Sequence, residues 1–202
     1  MDHLPFGGRL SVANQQEEPS QGTGPEHFGE SALTREKRLR VQGMMVFLGS
    51  LTHGLEDLLG KGAKAVSLRA GREVGLARPV IRKEADLRKA LDQVRQEMVT
   101  MEIDWPFELF VPEGEESPIS VNDHGETEIR MPFGNCLVRC SLFRYGFPQE
   151  MSLCQTKHGL FCGLFEKIYG VRAHLDIIHS GENACLLKLR FRDPNHAMGE
   201  DR

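Results

Sequence analysis

The stretch from Leu153 to the last strand-like segment constrains the fold most, because a helix pattern runs directly into a pair of strands. In LCQTKHGLFCGLFEKIYG the apolar residues recur on one side of a helix, and Gly170 is a stop signal. The segments 171–178 (VRAHLDII) and 185–191 (CLLKLRF) have strand composition and are joined by the short turn HSGEN. A strand pair directly after an amphipathic helix predicts a sheet on which that helix packs.

Three helical patterns come before the sheet. The first begins near Val41, has apolar residues at three- and four-residue spacing, and ends at a glycine pair. The second covers about 63–76 and the third about 84–101, where apolar and charged faces separate clearly. In the second, Gly71 and Gly75 lie on one face, which favours close packing against a neighbouring helix. A phosphate loop is disfavoured, because no Lys-Ser or Lys-Thr pair follows them.

Short strand-like segments follow the third helix. They cover 107–111, 127–131 and 136–143 and are separated by turn signals. Helices first, then strands, a helix and a final hairpin are typical of an α+β domain. We therefore expect helices packed on one face of an antiparallel sheet, enclosing an apolar pocket.

Composition divides the chain into a folded domain and two tails. Residues 1–33 are rich in Gly, Pro, Gln, Glu and Ser and show no sustained apolar period, which predicts a disordered tail. The 202-residue length suits one domain, which we place at 34–192, followed by a flexible tail at 193–202.

Charge and hydropathy limit the function classes. The net charge of -4 argues against nucleic acid as a partner, since phosphate neutralisation needs a concentrated basic face. No apolar run approaches the roughly 20 residues that cross a bilayer, and the N-terminus lacks a basic start followed by an apolar stretch, so we expect a cytoplasmic protein. The sequence shows no catalytic triad order, pair of catalytic carboxylates or dinucleotide fingerprint in a suitable context. No motif therefore supports an enzymatic activity.

The five cysteines, an odd number, indicate thiols or metal ligands and not a disulfide framework. Cys154, Asp176, His179 and Cys185 follow one another with gaps of 22, 3 and 6 residues. The final turn brings the last three to one end of the hairpin, and a helix crossing the hairpin can bring Cys154 to the same end. Two thiolates, an imidazole and a carboxylate suit tetrahedral zinc, whereas packing of buried thiols is the alternative.

Other cysteines and histidines near this set have simpler interpretations. Cys162 is expected to pack in the core beside two phenylalanines. His158 is expected to support a metal ligand or to point into solvent. Cys136 and Cys140 lie on one side of a predicted strand, where buried packing is favoured over a two-cysteine metal site.

Three stretches resemble the vinyl-reductase-type small-molecule-binding domain, which is named after bacteriochlorophyll 4-vinyl reductase. They are AVSLRAGREVGL, GNCLVRC and CQTKHGLFCGLFEKIYGVRAHLDIIHSGENAC, and the resemblance as a whole covers roughly residues 40–192. The third is the most specific, because it reproduces the family's order of ligands and glycines. Those positions are Cys154, Gly159, Gly163, Gly170, Asp176, His179, Gly181 and Cys185.

The resemblance implies a fold shared with trafficking-particle subunits and heme-associated nitric-oxide signalling domains. In the phenol sensors of this family, the four positions matching Cys154, Asp176, His179 and Cys185 hold zinc. Here Asp176 replaces the usual Glu, His179 replaces the usual Cys, and the turn before the last cysteine is two residues shorter. The resemblance nevertheless implies zinc as the cofactor.

We therefore expect a sensor or accessory domain, acting as a homodimer, that binds a small hydrophobic or aromatic ligand near a zinc site. The expected pocket residues are Met44, Phe47, Leu48, Trp105, Phe107, Phe133, His158, Phe161 and Phe165. Two alternatives remain open. One is an accessory or catalytic component of tetrapyrrole or related cofactor metabolism, and the other is a structural subunit of a protein assembly.

Overall fold

The computed structural model describes residues 32–79, 82–103, 105–134, 136, 138, 139, 142, 146, 150–181 and 184–193. Nearly all of both expected tails lies outside these ranges. The described helices are α1 (Ala32–Leu59), α2 (Gly62–Leu76), α3 (Leu87–Thr100) and α4 (Ser152–Tyr169). The described strands are β1 (Ile119–Val121), β2 (Thr127–Gly134), β3 (Ala173–Ser180) and β4 (Ala184–Phe191).

The four strands form an antiparallel sheet in the order β1-β2-β4-β3. Alternate residues of β2 are buried, and Met131 pairs with the equally buried Leu187 of β4. The opposite face carries ion pairs, such as Lys188 with Glu128 and Arg190 with Asp176. Within the described ranges the helices pack against the apolar face of this sheet, which confirms the α+β prediction.

Helix α4 lies at the centre of the molecule, against the sheet and α3 on one side and against α2 on the other. Its crossing with α2 is very close. A Cβ built on Gly71 would lie 1.8 Å from the Thr156 carbonyl oxygen, and one built on Gly159 would lie 2.0 Å from the Leu68 carbonyl oxygen. The close packing expected of the α2 glycines is therefore confirmed.

The helix boundaries follow local sequence signals. The Asp86 side chain accepts a hydrogen bond of 2.9 Å from the Lys89 backbone N–H and so caps α3 at its N-terminus. Gly170 ends α4 with a φ of 90°, a left-handed conformation that glycine adopts without strain. Helix α1 starts at Ala32, nine residues before the position where apolar periodicity begins at Val41.

Two of the expected strands are absent from the named sheet. The segment 107–111 contributes an isolated bridge between Phe107 and Phe133, while β1 takes the edge position that the sequence left unassigned. The prediction of a strand at 136–143 is wrong at Val138, Arg139 and Leu142, which are helical. A short apolar run has no period that separates strand from helix, which explains the error.

No helix within the described ranges is both long and apolar enough to cross a bilayer.

Candidate functional site

A cluster of aromatic side chains fills the space between α4 and the sheet. The Trp105 and Phe133 ring centroids are 4.2 Å apart, and the Phe161 ring meets Trp105, Phe107 and Phe133 edge-on at 6.2, 5.4 and 5.7 Å. Phe165 packs near the other end of α4, against Tyr169 and Phe191. Phe107, Phe133, Phe161 and Phe165 therefore form a packed core, and the open space lies beside it.

That space is a cavity where β4 begins and β3 ends, next to the first half of α4. Its volume is about 20 Å³, which holds about one water molecule. Trp105 and His158 are the two expected pocket residues that border it. The lining residues are Trp105, Cys136, Arg139, Glu150, Cys154, Lys157, His158, Ile177, Ser180, Cys185 and Leu187.

Two basic side chains reach into this cavity. The Lys157 Nζ lies 3.6 Å from the centroid of the Trp105 ring and donates to the Cys136 Sγ. The Arg139 Nη1 donates to the Ala184 carbonyl oxygen and to the Cys185 Sγ, each at 3.1 Å. The pKa of the Lys157 ammonium is lowered by burial, and the nearby Cys136 sulfur offsets only part of this effect. The cavity thus has two basic groups, one carboxylate residue (Glu150) and an aromatic wall.

Three buried nitrogen atoms around the cavity have no hydrogen-bond partner among the described residues. They are the Trp105 Nε1, the Arg139 Nε and the His158 Nδ1. An unsatisfied buried polar atom costs roughly 1–3 kcal/mol, so three together at one cavity favour a partner that the described residues do not supply. The indole and guanidinium nitrogens are donors, and they suit an oxygen acceptor.

Three thiols also border the cavity, from Cys136, Cys154 and Cys185. Burial is the main cause that raises the pKa of Cys154 and of Cys185. Cys162 lies deeper on α4, where burial raises the pKa of its thiol to about 12. The interpretations of Cys162 and Cys136 as buried thiols are confirmed, and Cys136 also borders the cavity. Cys140 lies outside the described residues.

The structure places the four expected zinc ligands on two faces of the sheet. Cys154 and Cys185 border the cavity. The Asp176 carboxylate accepts a hydrogen bond from Arg190 on the charged face of the sheet. His179 is exposed on the same face, because a bulge after Ile177 pairs it with Leu186 and not with Cys185. Among the described residues no three His, Cys, Asp or Glu side chains form a group that could hold a metal ion. The four residues therefore do not fit a zinc ion together in this structure.

The α1 residues expected in the pocket lie elsewhere. Met44 is 59% exposed and Phe47 is 66% exposed, while Leu48 is half-buried. The buried residues of α1, Met45 and Gly49, lie on another side of the helix. This corrects the expectation that α1 supplies a pocket wall.

His158 is buried and not in solvent, which corrects one of its two interpretations. Its ring stacks on Trp105 with a centroid distance of 6.1 Å and an angle of 6° between the planes. Burial, with a smaller contribution from the nearby Lys157 ammonium, lowers the pKa of His158 from 6.5 to about 4. The imidazole is therefore neutral at pH 7.

The stability of the protein is expected to depend on His158 between pH 6.5 and 4. In this range the unfolded chain takes up a proton that the folded protein excludes, so the free energy of unfolding falls as the pH falls. The loss is on the order of 3 kcal/mol over the full range. Urea unfolding at several pH values checks this, and His158→Asn is expected to flatten the dependence. Equal slopes for the variant and the natural chain would contradict the assignment.

Sequence reasoning missed Lys157 and Arg139 as site residues. Lysine and arginine are rarely fully buried, and a charge on a helix usually marks its solvated face. The spacing of Cys154, Lys157 and His158, within about one helical turn, is the one signal that places Lys157 near the site. Arg139 lies in the segment that was wrongly assigned to a strand.

No protein-family model matches the chain, and no curated protein matches it. Among solved structures, the chain is similar to the crystal structure of the phenol-responsive sensory domain of the transcription activator PoxR with phenol. The two sequences are 14% identical, the TM-score is 0.49, and the match covers 76% of this chain and 78% of that chain. Membership of the vinyl-reductase-type family stays a prediction from the sequence motifs.

Proposed function

We propose that the chain binds a small aromatic molecule that carries a hydroxyl or similar oxygen, in the cavity beside Trp105. The observation that carries the proposal is the group of three buried nitrogen atoms, next to an aromatic wall, that have no partner among the described residues. An oxygen of the ligand can accept from the Trp105 Nε1 and the Arg139 Nε, while the ring stacks on an aromatic neighbour. Such sites combine apolar walls with a few placed polar groups.

The Lys157 side chain occupies the surface that a ligand ring needs. The cavity of about 20 Å³ is too small for an aromatic ring, and the Lys157 ammonium lies over the Trp105 ring at 3.6 Å. Burial lowers the pKa of this lysine, so its charged form gains hydration when it leaves. Ligand binding is therefore coupled to the movement of Lys157 away from Trp105.

The proposed role is that of a sensor or accessory domain, which passes ligand binding to a partner or through a homodimer in the cytoplasm. Zinc binding by Cys154, Asp176, His179 and Cys185 stays a prediction of the sequence resemblance, although the structure separates these residues. Elemental analysis of the purified protein checks it, with about one zinc per chain expected for a closed site. The tetrapyrrole and assembly-subunit alternatives have no observation in their favour.

Trp105 is the only tryptophan of the chain and reports directly on the cavity. Phenol, the molecule in the PoxR structure, is the first probe. We expect a saturable change in Trp105 fluorescence with phenol and a much weaker one with cyclohexanol, which has similar size and a hydroxyl but no aromatic ring. The absence of any saturable change with phenol, catechol and benzoate at millimolar concentrations would contradict the proposal.

A matched pair of histidine variants locates the binding site. His158→Asn removes the ring stacked on Trp105 and is expected to raise the Kd for phenol at least about tenfold. His124→Asn changes an exposed residue in the turn before β2 and is expected to leave the Kd unchanged. Equal affinities in the two variants would place the ligand elsewhere in the chain.

A further inference from the structure

The Lys157 side chain covers a thiol as well as an aromatic ring. Its Nζ donates a hydrogen bond to the Cys136 Sγ and lies 3.6 Å from the centroid of the Trp105 ring. Cys136 borders the cavity and is only 3% exposed. Because one nitrogen atom contacts both groups, the Cys136 sulfur lies within reach of a ligand ring stacked on Trp105. The movement of Lys157 that admits such a ring therefore also uncovers this sulfur.

Hydrogen bonds distinguish Cys136 from the neighbouring thiol of Cys185. The Cys136 Sγ accepts from the Arg139 backbone N–H at 3.3 Å as well as from Lys157. The Cys185 Sγ accepts from the Arg139 side chain at 3.1 Å. The Arg139 backbone N–H stays beside Cys136 when Lys157 moves, and a donor at this position stabilises the negative charge of a thiolate, the form of cysteine that attacks electrophiles. Cys136 is therefore the thiol that the movement of Lys157 releases for reaction.

The unpartnered donors at the cavity suit a quinone, the oxidised form of a dihydroxyaromatic molecule. Each carbonyl oxygen of a quinone accepts hydrogen bonds and has no proton to donate. The Trp105 Nε1 and the Arg139 Nε are buried donors without a partner among the described residues. A donor on a quinone oxygen also stabilises the charge that develops on this oxygen when a nucleophile attacks the ring. The donors that bind the oxygen thus activate the ring toward the nearby thiol.

We propose that the cavity captures quinones covalently, by addition of the Cys136 thiol to the quinone ring. This capture rests on the proposed function, because the ring must first replace Lys157 on Trp105. The sulfur bonds to a ring carbon, the electron pair of the ring double bond moves to the conjugated carbonyl oxygen, and the thiol proton joins that oxygen. The proton of the attacked carbon then moves to the other carbonyl oxygen. One thiol and one quinone give one hydroquinone thioether, so no oxidant or reductant is needed.

The product of the addition fits the third unpartnered atom of the cavity. Both of its oxygens are hydroxyl groups, and these can donate as well as accept. The imidazole of His158 is neutral, and its Nδ1 has no partner among the described residues, so it can accept from one hydroxyl. The thioether holds the ring on Trp105 and keeps Lys157 displaced. A quinone therefore gives a lasting signal where phenol gives a reversible one.

The reaction is tested on the natural chain with p-benzoquinone in small molar excess at pH 7, followed by intact-mass spectrometry and peptide mapping. About one added quinone per chain is expected on Cys136, before any reaction of Cys162, which is 1% exposed and lies outside the cavity. Hydroquinone without oxygen has the same size and no electrophilic carbon, and it is expected to leave the mass unchanged. A first adduct on any other residue would overturn the proposal.

Competition with phenol ties the reaction to the cavity. Phenol at about ten times its Kd is expected to slow the modification of Cys136 about tenfold, because the fraction of free sites falls by that factor. If Trp105 fluorescence responds to phenol but phenol does not protect Cys136, covalent capture in the cavity is wrong and the proposed function stands. If Trp105 does not respond to phenol, the proposed function fails, and the capture fails with it.

A matched pair of cysteine variants identifies the nucleophile. Cys136→Ala is expected to slow adduct formation at least about tenfold, with circular dichroism as the check of folding. Cys162→Ala removes a thiol outside the cavity and is expected to react at the rate of the natural chain. Equal rates in the two variants would exclude Cys136 as the nucleophile. Mapping and competition use the natural chain alone, so they test the proposal even if Cys136→Ala does not fold.

Discussion

Gly71→Ala is expected to lower the free energy of unfolding by at least about 3 kcal/mol. The added methyl group would lie 1.8 Å from the Thr156 carbonyl oxygen and 2.9 Å from the Leu160 backbone nitrogen. Both neighbours are backbone atoms of α4, so relief requires the two helices to separate. Ordinary overpacking costs about 1–3 kcal/mol, and a clash with backbone across a whole helix crossing exceeds that range.

The consequence extends beyond α2, because α4 covers the sheet and holds Cys154, Lys157 and His158 at the cavity. With a total stability of about 5–15 kcal/mol for a domain, a loss of this size leaves little margin. Urea unfolding followed by circular dichroism measures the effect. Gly43→Ala is the control, since Gly43 lies inside a helix with nothing within 4 Å of its built Cβ. It is expected to gain up to about 1 kcal/mol from helix propensity.

If Gly71→Ala unfolds with a free energy within about 0.5 kcal/mol of that of the natural chain, α2 and α4 pack less closely than in this structure. Gly159→Ala supplies an independent measurement from the other helix, with a built Cβ 2.0 Å from the Leu68 carbonyl oxygen. Both variants are expected to behave alike, because each adds a methyl group to the same contact.

The fold was largely predictable because its main elements carry long periodic patterns. The apolar stripes of α3 and α4 and the stop at Gly170 depend only on neighbouring residues, so the sequence predicts them well. The helical residues Val138 and Arg139 were missed because a short apolar run fits either a strand or a helix. Strand β1 was not predicted, because it has three residues and its pairing with β2 depends on tertiary contacts.

The candidate site was only partly predictable, since it depends on which sheet face each strand residue occupies. Cys154 and Cys185 both border one cavity. Asp176, which pairs with Lys188, lies on the other face by the regular alternation of β3, and a bulge after Ile177 shifts the alternation by one residue and places His179 on that face as well. The spacing of residues in the sequence does not by itself reveal a register shift of this kind. The burial of Lys157 over Trp105 was likewise hidden, because it depends on a contact between distant segments.

Phe161→Ala is expected to lower the free energy of unfolding by about 3–5 kcal/mol, the range for removing a fully buried phenylalanine. The Phe161 side chain is fully buried, and its ring touches Phe107 and Phe133 as well as Trp105. Phe110→Ala is the control at a site that is 42% exposed, and its expected cost is below about 1 kcal/mol. Similar costs for the two variants in urea unfolding would contradict the central position of Phe161.

The Phe161→Ala variant also distinguishes ligand binding in the aromatic core from ligand binding in the polar cavity. Removing the Phe161 ring leaves an apolar void beside Trp105, and a void of this kind accepts benzene without any hydrogen bond. Benzene is therefore expected to raise the free energy of unfolding of Phe161→Ala and to have little effect on the natural chain. Phenol is expected to stabilise the natural chain as well, since its hydroxyl can accept from the unpaired Trp105 and Arg139 nitrogens. Equal stabilisation of the natural chain by benzene and phenol would mean that these nitrogens play no part in binding.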